Sequence, residues 1–126
     1  MKYAESIIPG DVIGLKGDLG TGKTQFVKGI CSYFKVNEIV NSPTFIIVNE
    51  YKGFKEKDEE ILIHHFDLYR LKSIEELETI GFGEYLSNDS ICLIEWCELA
   101  AKYTDIKIKI VNFEFGNDKN DRIIKY

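Results

Sequence analysis

Eight consecutive residues, Gly17-Asp18-Leu19-Gly20-Thr21-Gly22-Lys23-Thr24, satisfy the spacing G-x-x-x-x-G-K-[ST], and each residue type suits one task in holding a polyphosphate. Gly17, Gly20 and Gly22 permit backbone turns that a Cβ resists. Successive N–H groups from Asp18, Leu19, Gly20, Thr21 and Gly22 can then converge on phosphate oxygens at a helix N-terminus. Lys23 brings a cation for the β- and γ-phosphates, and the Thr24 hydroxyl can ligate Mg²⁺. At ordinary glycine frequencies a random chain of this length shows the pattern well under ~1% of the time.

Three further segments offer the remaining groups of a nucleotide site. ILIHHFDLYR sets Asp67 at the end of an apolar run, where a carboxylate can hold Mg²⁺ directly or through water, or merely close a strand-terminal turn. ICLIE ends likewise in Glu95, which competes with Asp67 as metal ligand or as the group that positions an attacking water. Its structural alternative is a carboxylate favoured by a helix N-terminus. SPTF, Ser42 to Phe45, lies where a loop could carry the Thr44 hydroxyl to Mg²⁺ or the γ-phosphate; it serves equally well as the start of a strand. Strand alternation puts His65, Asp67 and Tyr69 on one face and His64, Phe66 and Leu68 on the other. Each histidine on its own reads as a hydrogen-bonded structural residue.

The elements that must position these groups follow from periodicity. Val12 to Lys16 is a short apolar run ending at Gly17, a buried strand entering a turn. Phe26, Val27, Ile30 and Phe34 share one face of a helix that starts at Lys23, with Lys28, Ser32 and Lys35 opposite. A loop over 36–42 follows. Ser42 precedes proline and is pushed towards extended geometry, so a strand is expected over 44–51 and another over 60–67, with the charged stretch 52–60 as a solvated hairpin tip. Ser73 and Glu76 make a capping-box pattern for a short helix carrying Ile74, Leu77 and Ile80 and stopping at Gly81. A strand over 91–95 lacks alternation and is expected to be covered on both faces. Residues 96–103 are expected to turn helical. The phase change from Ile106, Ile108 and Ile110 to Val111, Phe113 and Phe115 suggests a bulge, and GNDKN at 116–120 turns the chain into a last strand over 121–126. The expectation is an α/β chain with a helix-flanked mixed β-sheet and a C-terminal antiparallel strand pair.

Composition bounds the function classes. The 126 residues are 44% hydrophobic and 29% charged, as one globular domain of residues 1–126 requires, and long enough to bury a core without staples. Sixteen basic and 21 acidic residues leave a net charge of −5, the wrong sign for binding nucleic acid through a basic surface. Cys31, Cys92 and Cys97 form no CxxC pair and read as core residues of a reducing cytoplasm. No apolar run suits a signal peptide or a membrane span, so a cytoplasmic chain is expected. Arg70 and Arg122 are the only arginines, few for clamping a second substrate, which places a small-molecule kinase behind an ATPase. No N-K-x-D pattern supports guanine recognition. A nucleotide-binding interaction module that never turns over is the non-enzymatic alternative.

Taken together, GDLGTGKT at 17–24, SPTF at 42–45, HFDLYRL at 65–71 and LIEW at 93–96 resemble the TsaE family, the small P-loop ATPases of bacterial tRNA threonylcarbamoyladenosine synthesis. The resemblance spans roughly residues 11–97. It implies a P-loop NTPase domain that binds ATP and Mg²⁺ and turns over slowly without partners. It also implies that Asp67 is the Walker B-like acid, that the Thr44 segment acts as a switch, and that Glu95 with Trp96 completes the nucleotide site. The implied partners are the TsaB and TsaD proteins, with tRNA reached only through that complex. The chain departs from the family in having only about ten residues before Asp11, which bears on base contacts. Gln25 replaces a second threonine, Cys97 stands where proline often follows Glu-Trp, and Arg122 is the only late arginine that could reach the phosphates.

Overall fold

In the computed structural model, which describes residues 2–17, 22–40, 48–103, 107–115 and 122–125, apolar strands gather into one six-stranded sheet. In chain order the elements are α1 (Lys2–Glu5), β1 (Val12–Lys16), α2 (Lys23–Tyr33), β2 (Val48–Phe54), β3 (Glu60–Asp67), α3 (Ile74–Thr79), β4 (Ser90–Glu95), β5 (Lys109–Phe115) and β6 (Arg122–Lys125). The sheet order is β2-β3-β4-β1-β5-β6. Its four central strands are parallel, and an antiparallel strand closes each edge. This is the expected mixed α/β architecture with its C-terminal antiparallel pair.

Parallel strands are covered on both faces, and two clusters do this. On one face α1 and α2 lay Ala4, Phe26, Val27, Ile30 and Phe34 over Ile13, Leu15, Ile63, Leu93 and Val111. On the other, α3 and short 3-10 turns bring Leu77, Phe82 and Ala100 against Val12, Phe66, Cys92 and Ile94. Central β4 is buried at every residue, which accounts for the unbroken apolar run ICLI.

β3 keeps the expected bounds, whereas β2 extends to Phe54, so the hairpin tip shrinks to residues 55–59 around a 3-10 turn. Residues 41–47, which hold Thr44, and the turn at 116–120 lie outside the described residues. The Ser73 hydroxyl accepts the Glu76 N–H at 3.2 Å, but the Glu76 carboxylate reaches Lys72 N–H rather than that of Ser73. Only Ala100–Lys102 within 96–103 is helical, as a 3-10 turn. The bulge expected in β5 is also corrected: register with β1 and β6 runs without offset over Lys109–Phe115. The apolar phase change arises because Ile108 packs in one cluster while Val111 and Phe113 enter the other.

Gly14 decides how closely the second layer approaches. A Cβ there would lie 2.8 Å from Cys97 Sγ and 2.9 Å from Ile108 Cγ2. Among the described residues, no helix is long and apolar enough to cross a membrane.

Candidate functional site

The sheet's C-terminal edge collects the polar residues named from the sequence. β1 ends at Lys16, and α2 begins at Lys23 with Gly22 as its N-cap at φ 99°. That backbone region favours glycine, and a Cβ there would meet nothing within 4 Å, so conformation rather than space demands the glycine. No side chain caps α2, and its first turn holds no acidic residue, a start suited to an anion. Asp18, Leu19, Gly20 and Thr21 lie outside the described residues.

Lys23 is 5% exposed in the first turn of α2. Its Nζ donates to the Gly17 carbonyl at 2.6 Å and sits 3.7 Å from the centre of the Trp96 indole, a cation–π contact. Trp96 follows β4 at φ 57°, a conformation few non-glycine residues adopt, and the Tyr69 ring packs against its indole with ring centroids 4.9 Å apart. The ammonium, the indole and the phenol thus form one wall of the site, from three segments.

The parallel pairing of β1, β4 and β3 fixes the carboxylates. Asp67 and Glu95 are register partners on adjacent strands, which places their backbones about 4.8 Å apart. Their settings differ. Glu95 is 4% exposed, and its Oε1 accepts the Thr24 hydroxyl at 3.3 Å, which ties the strand carboxylate to the glycine-rich motif across 71 residues. Its Oε2 lies 2.6 Å from His65 Nε2. Asp67 is half-buried, and its Oδ1 accepts the Tyr69 N–H at 3.0 Å. Arg122 begins β6, paired with Phe115 at this same end of the sheet; its side chain lies outside the described residues.

His65, read from the sequence as a hydrogen-bonded structural residue, bonds to Glu95 itself, and Tyr51 is the member the sequence did not single out. His65 Nδ1 is 3.5 Å from Tyr51 Oη, which in turn accepts from Asn49 Nδ2 at 3.3 Å. The available signal was alternation: His65 shares a face with Asp67, and a polar residue on the buried face of an inner strand needs a polar partner.

Thr24 and Glu95 offer hard oxygen donors of the kind Mg²⁺ takes. Among the described residues no group of three or more His, Cys, Asp or Glu side chains could hold a metal by itself. The three thiols stand apart from this chemistry. Burial pushes Cys31 and Cys92 up to about 12 and Cys97 to about 11, with Glu38 and Glu98 adding to the first and last. A cavity of about 620 Å³ lined by Ile8, Pro9, Tyr33 and Lys57 lies at the opposite end of the sheet, away from the motif residues.

Comparison with known proteins gives this arrangement relatives. The family model for TsaE, threonylcarbamoyl adenosine biosynthesis protein, matches residues 1–124. The tRNA threonylcarbamoyladenosine biosynthesis protein TsaE of Bacillus subtilis is 39% identical over 114 residues, covering 90% of this chain and 68% of the relative. That of Rickettsia conorii is 41% identical over 121 residues, covering 95% and 65%. The crystal structure of Bacillus subtilis YdiB aligns with a TM-score of 0.72 at 30% identity, over 96% of this chain and 70% of that one. The chain spans about two thirds of the length of these curated relatives.

Proposed function

The chain belongs to the TsaE family of tRNA threonylcarbamoyladenosine biosynthesis, and from that premise we propose that it is a Mg²⁺-dependent ATPase whose turnover drives or resets a TsaB/TsaD transferase complex. The observation that carries the reading is the Thr24–Glu95 hydrogen bond at 3.3 Å. It joins the residue after the phosphate-loop lysine to the carboxylate that ends the neighbouring strand, the pairing a phosphate loop needs to hold Mg²⁺·ATP.

Each residue then has a task. The N–H groups of Asp18 to Gly22 cradle phosphate oxygens, and Lys23 exchanges its Gly17 and Trp96 contacts for the β- and γ-phosphates. Glu95 accepts a hydrogen bond from the Thr24 hydroxyl and so leaves that oxygen's lone pairs for Mg²⁺, which when bound would neutralise phosphate charge. Asp67, beside Glu95 and less buried, is suited to reach the same ion or the attacking water. Water adds to the γ-phosphorus as the bond to the β–γ bridging oxygen breaks, giving ADP and phosphate. Thr44 and Arg122 are proposed to complete the phosphate contacts, and Trp96 to flank the nucleotide. The reading makes the chain an enzyme of the cytoplasm, and its two arginines, Arg70 and Arg122, are few for clamping a second substrate. The net charge of −5 supports weak tRNA binding by this chain alone, with tRNA met through the complex.

A reconstituted tRNA modification assay tests the reading. Glu95→Ala is expected to retain nucleotide binding and to fail at multiple turnovers. Full multiple-turnover activity with Glu95→Ala, or without this chain, overturns the proposed role. Absence of phosphate release both alone and with TsaB and TsaD would leave a binding module rather than an ATPase.

A further inference from the structure

His65 is 0% exposed and has no task in the scheme above. Its Nε2 lies 2.6 Å from Glu95 Oε2 and its Nδ1 3.5 Å from Tyr51 Oη. A carboxylate oxygen accepts hydrogen bonds, so the 2.6 Å contact calls for an N–H at Nε2 donating to Glu95 Oε2, and the sense of the Nδ1–Tyr51 Oη contact follows from the form of the ring. Tyr51 Oη in turn accepts from Asn49 Nδ2 at 3.3 Å. These contacts link β2 through β3 to β4.

The two oxygens of Glu95 are held by donors from opposite sides, Oε2 by His65 on β3 and Oε1 by Thr24 on α2. The terminal torsion of a glutamate is broad and roughly two-fold, so the Thr24 bond alone leaves the carboxylate plane free to rock. A second donor on the other oxygen removes that freedom. Core filling does not account for a histidine here, because an apolar side chain would fill the space without two polar atoms to satisfy. We propose that His65 is a positioning residue: by clamping Oε2 it fixes the rotation of Glu95, so that Oε1 holds the Thr24 hydroxyl in the orientation Mg²⁺·ATP requires. This rests on the ATPase reading above.

The test uses two amide replacements that differ by one methylene. The Gln side-chain nitrogen reaches the position of His Nε2, whereas that of Asn stops near Nδ1. Nucleotide affinity is measured by calorimetry on the full chain, with Mg²⁺ and with EDTA, after thermal unfolding has shown both variants folded. His65→Asn is expected to shrink the Mg²⁺-to-EDTA affinity ratio about 10-fold or more, the usual loss when a ligand's orienting partner is removed. His65→Gln is expected to restore most of it. Nitrogen-detected NMR of the wild-type chain without nucleotide is expected to show the Nε2–H tautomer at His65. Equal ratios in wild type and His65→Asn overturn the proposal, as do equal losses in both variants, which would mark a packing effect. If His65→Asn does not fold, an Nδ1–H tautomer in the wild type overturns it. Wild-type chain that holds the Nε2–H tautomer yet binds no ATP refutes the ATPase reading and reduces the His65 bond to a structural one. Normal wild-type binding with an unchanged His65→Asn ratio refutes only the positioning role.

Discussion

Replacing Lys23 by methionine separates what this residue does for the fold from what it does for a nucleotide. Its Nζ makes a charge-assisted bond to the Gly17 carbonyl at 2.6 Å and lies 3.7 Å from the Trp96 ring centre. Such a bond contributes about 1.5–3 kcal/mol and a desolvated cation–π contact about 2 kcal/mol. Against these stands the cost of holding an ammonium that is 5% exposed, several kcal/mol for a buried ion. Methionine matches the stem's length and removes that cost, so the change in stability is expected to be small, about 1 kcal/mol in either direction. For ATP, the loss of a charge-assisted bond to phosphate corresponds to about 10- to 150-fold in affinity. The lower end is expected, because Nζ must leave Gly17 and the indole to reach a phosphate and so exchanges contacts rather than gaining them. Denaturant unfolding and calorimetric titration read the two quantities, and Trp96, the single tryptophan, gives an optical signal as the cation departs. Unchanged ATP affinity, or a loss of stability beyond about 3 kcal/mol with binding intact, would refute this division of labour.

Thr24→Ala is expected to weaken ATP binding with Mg²⁺ more than without it, since a hydroxyl ligand held by Glu95 at 3.3 Å is lost; equal losses in magnesium and in EDTA count against the metal role. Gly14→Ala is expected to cost about 1–3 kcal/mol in urea unfolding, because its Cβ would overlap Cys97 Sγ and Ile108 Cγ2, and wild-type stability would show the second layer to be loosely seated. The native thiols are expected to react with Ellman's reagent at pH 8 far more slowly than in the denatured chain, given their raised ionisation. The unfolded chain loses these protons above about pH 9 while the folded chain retains them to about 11 or 12, so stability should fall as pH rises above 9. The slope is at most about 1.4 kcal/mol per pH unit for each thiol, and Cys31→Ala should reduce it; an identical slope would place the alkaline loss elsewhere.

What was legible in the sequence was whatever local rules determine. The Phe26, Val27, Ile30 and Phe34 stripe announces α2, and the bounds of β3 follow from a β-branched and aromatic run between charged neighbours. The glycine-rich motif between a strand and a helix is equally local. What depends on pairing was not legible. No spacing rule tells that Glu95 rather than Asp67 meets Thr24, because that follows from the β3–β4–β1 register. The burial of Lys23 depends on Trp96, 73 residues further on, whose left-handed backbone no composition rule foretells. The β5 phase change was visible, but its cause was two facing layers rather than an inserted residue.

The sheet order also governs when the chain can assemble as it is made. β1 emerges early, yet Val12 pairs with Cys92, 80 residues later, and Ile13 with Lys109, 96 residues later. Pairings of such long sequence separation form slowly, and synthesis runs from the N-terminus at about 5–20 residues per second. Until β4 has been made, Ile13 and Leu15, fully buried in the finished sheet, have no strand on either side. Thr24 leaves the ribosome 71 residues before Glu95, and Lys23 likewise precedes Trp96, the residues that hold them. A nascent chain halted before β4 should therefore expose the apolar side chains of β1 and hold Lys23 and Thr24 without the partners that β4 and the residue after it supply.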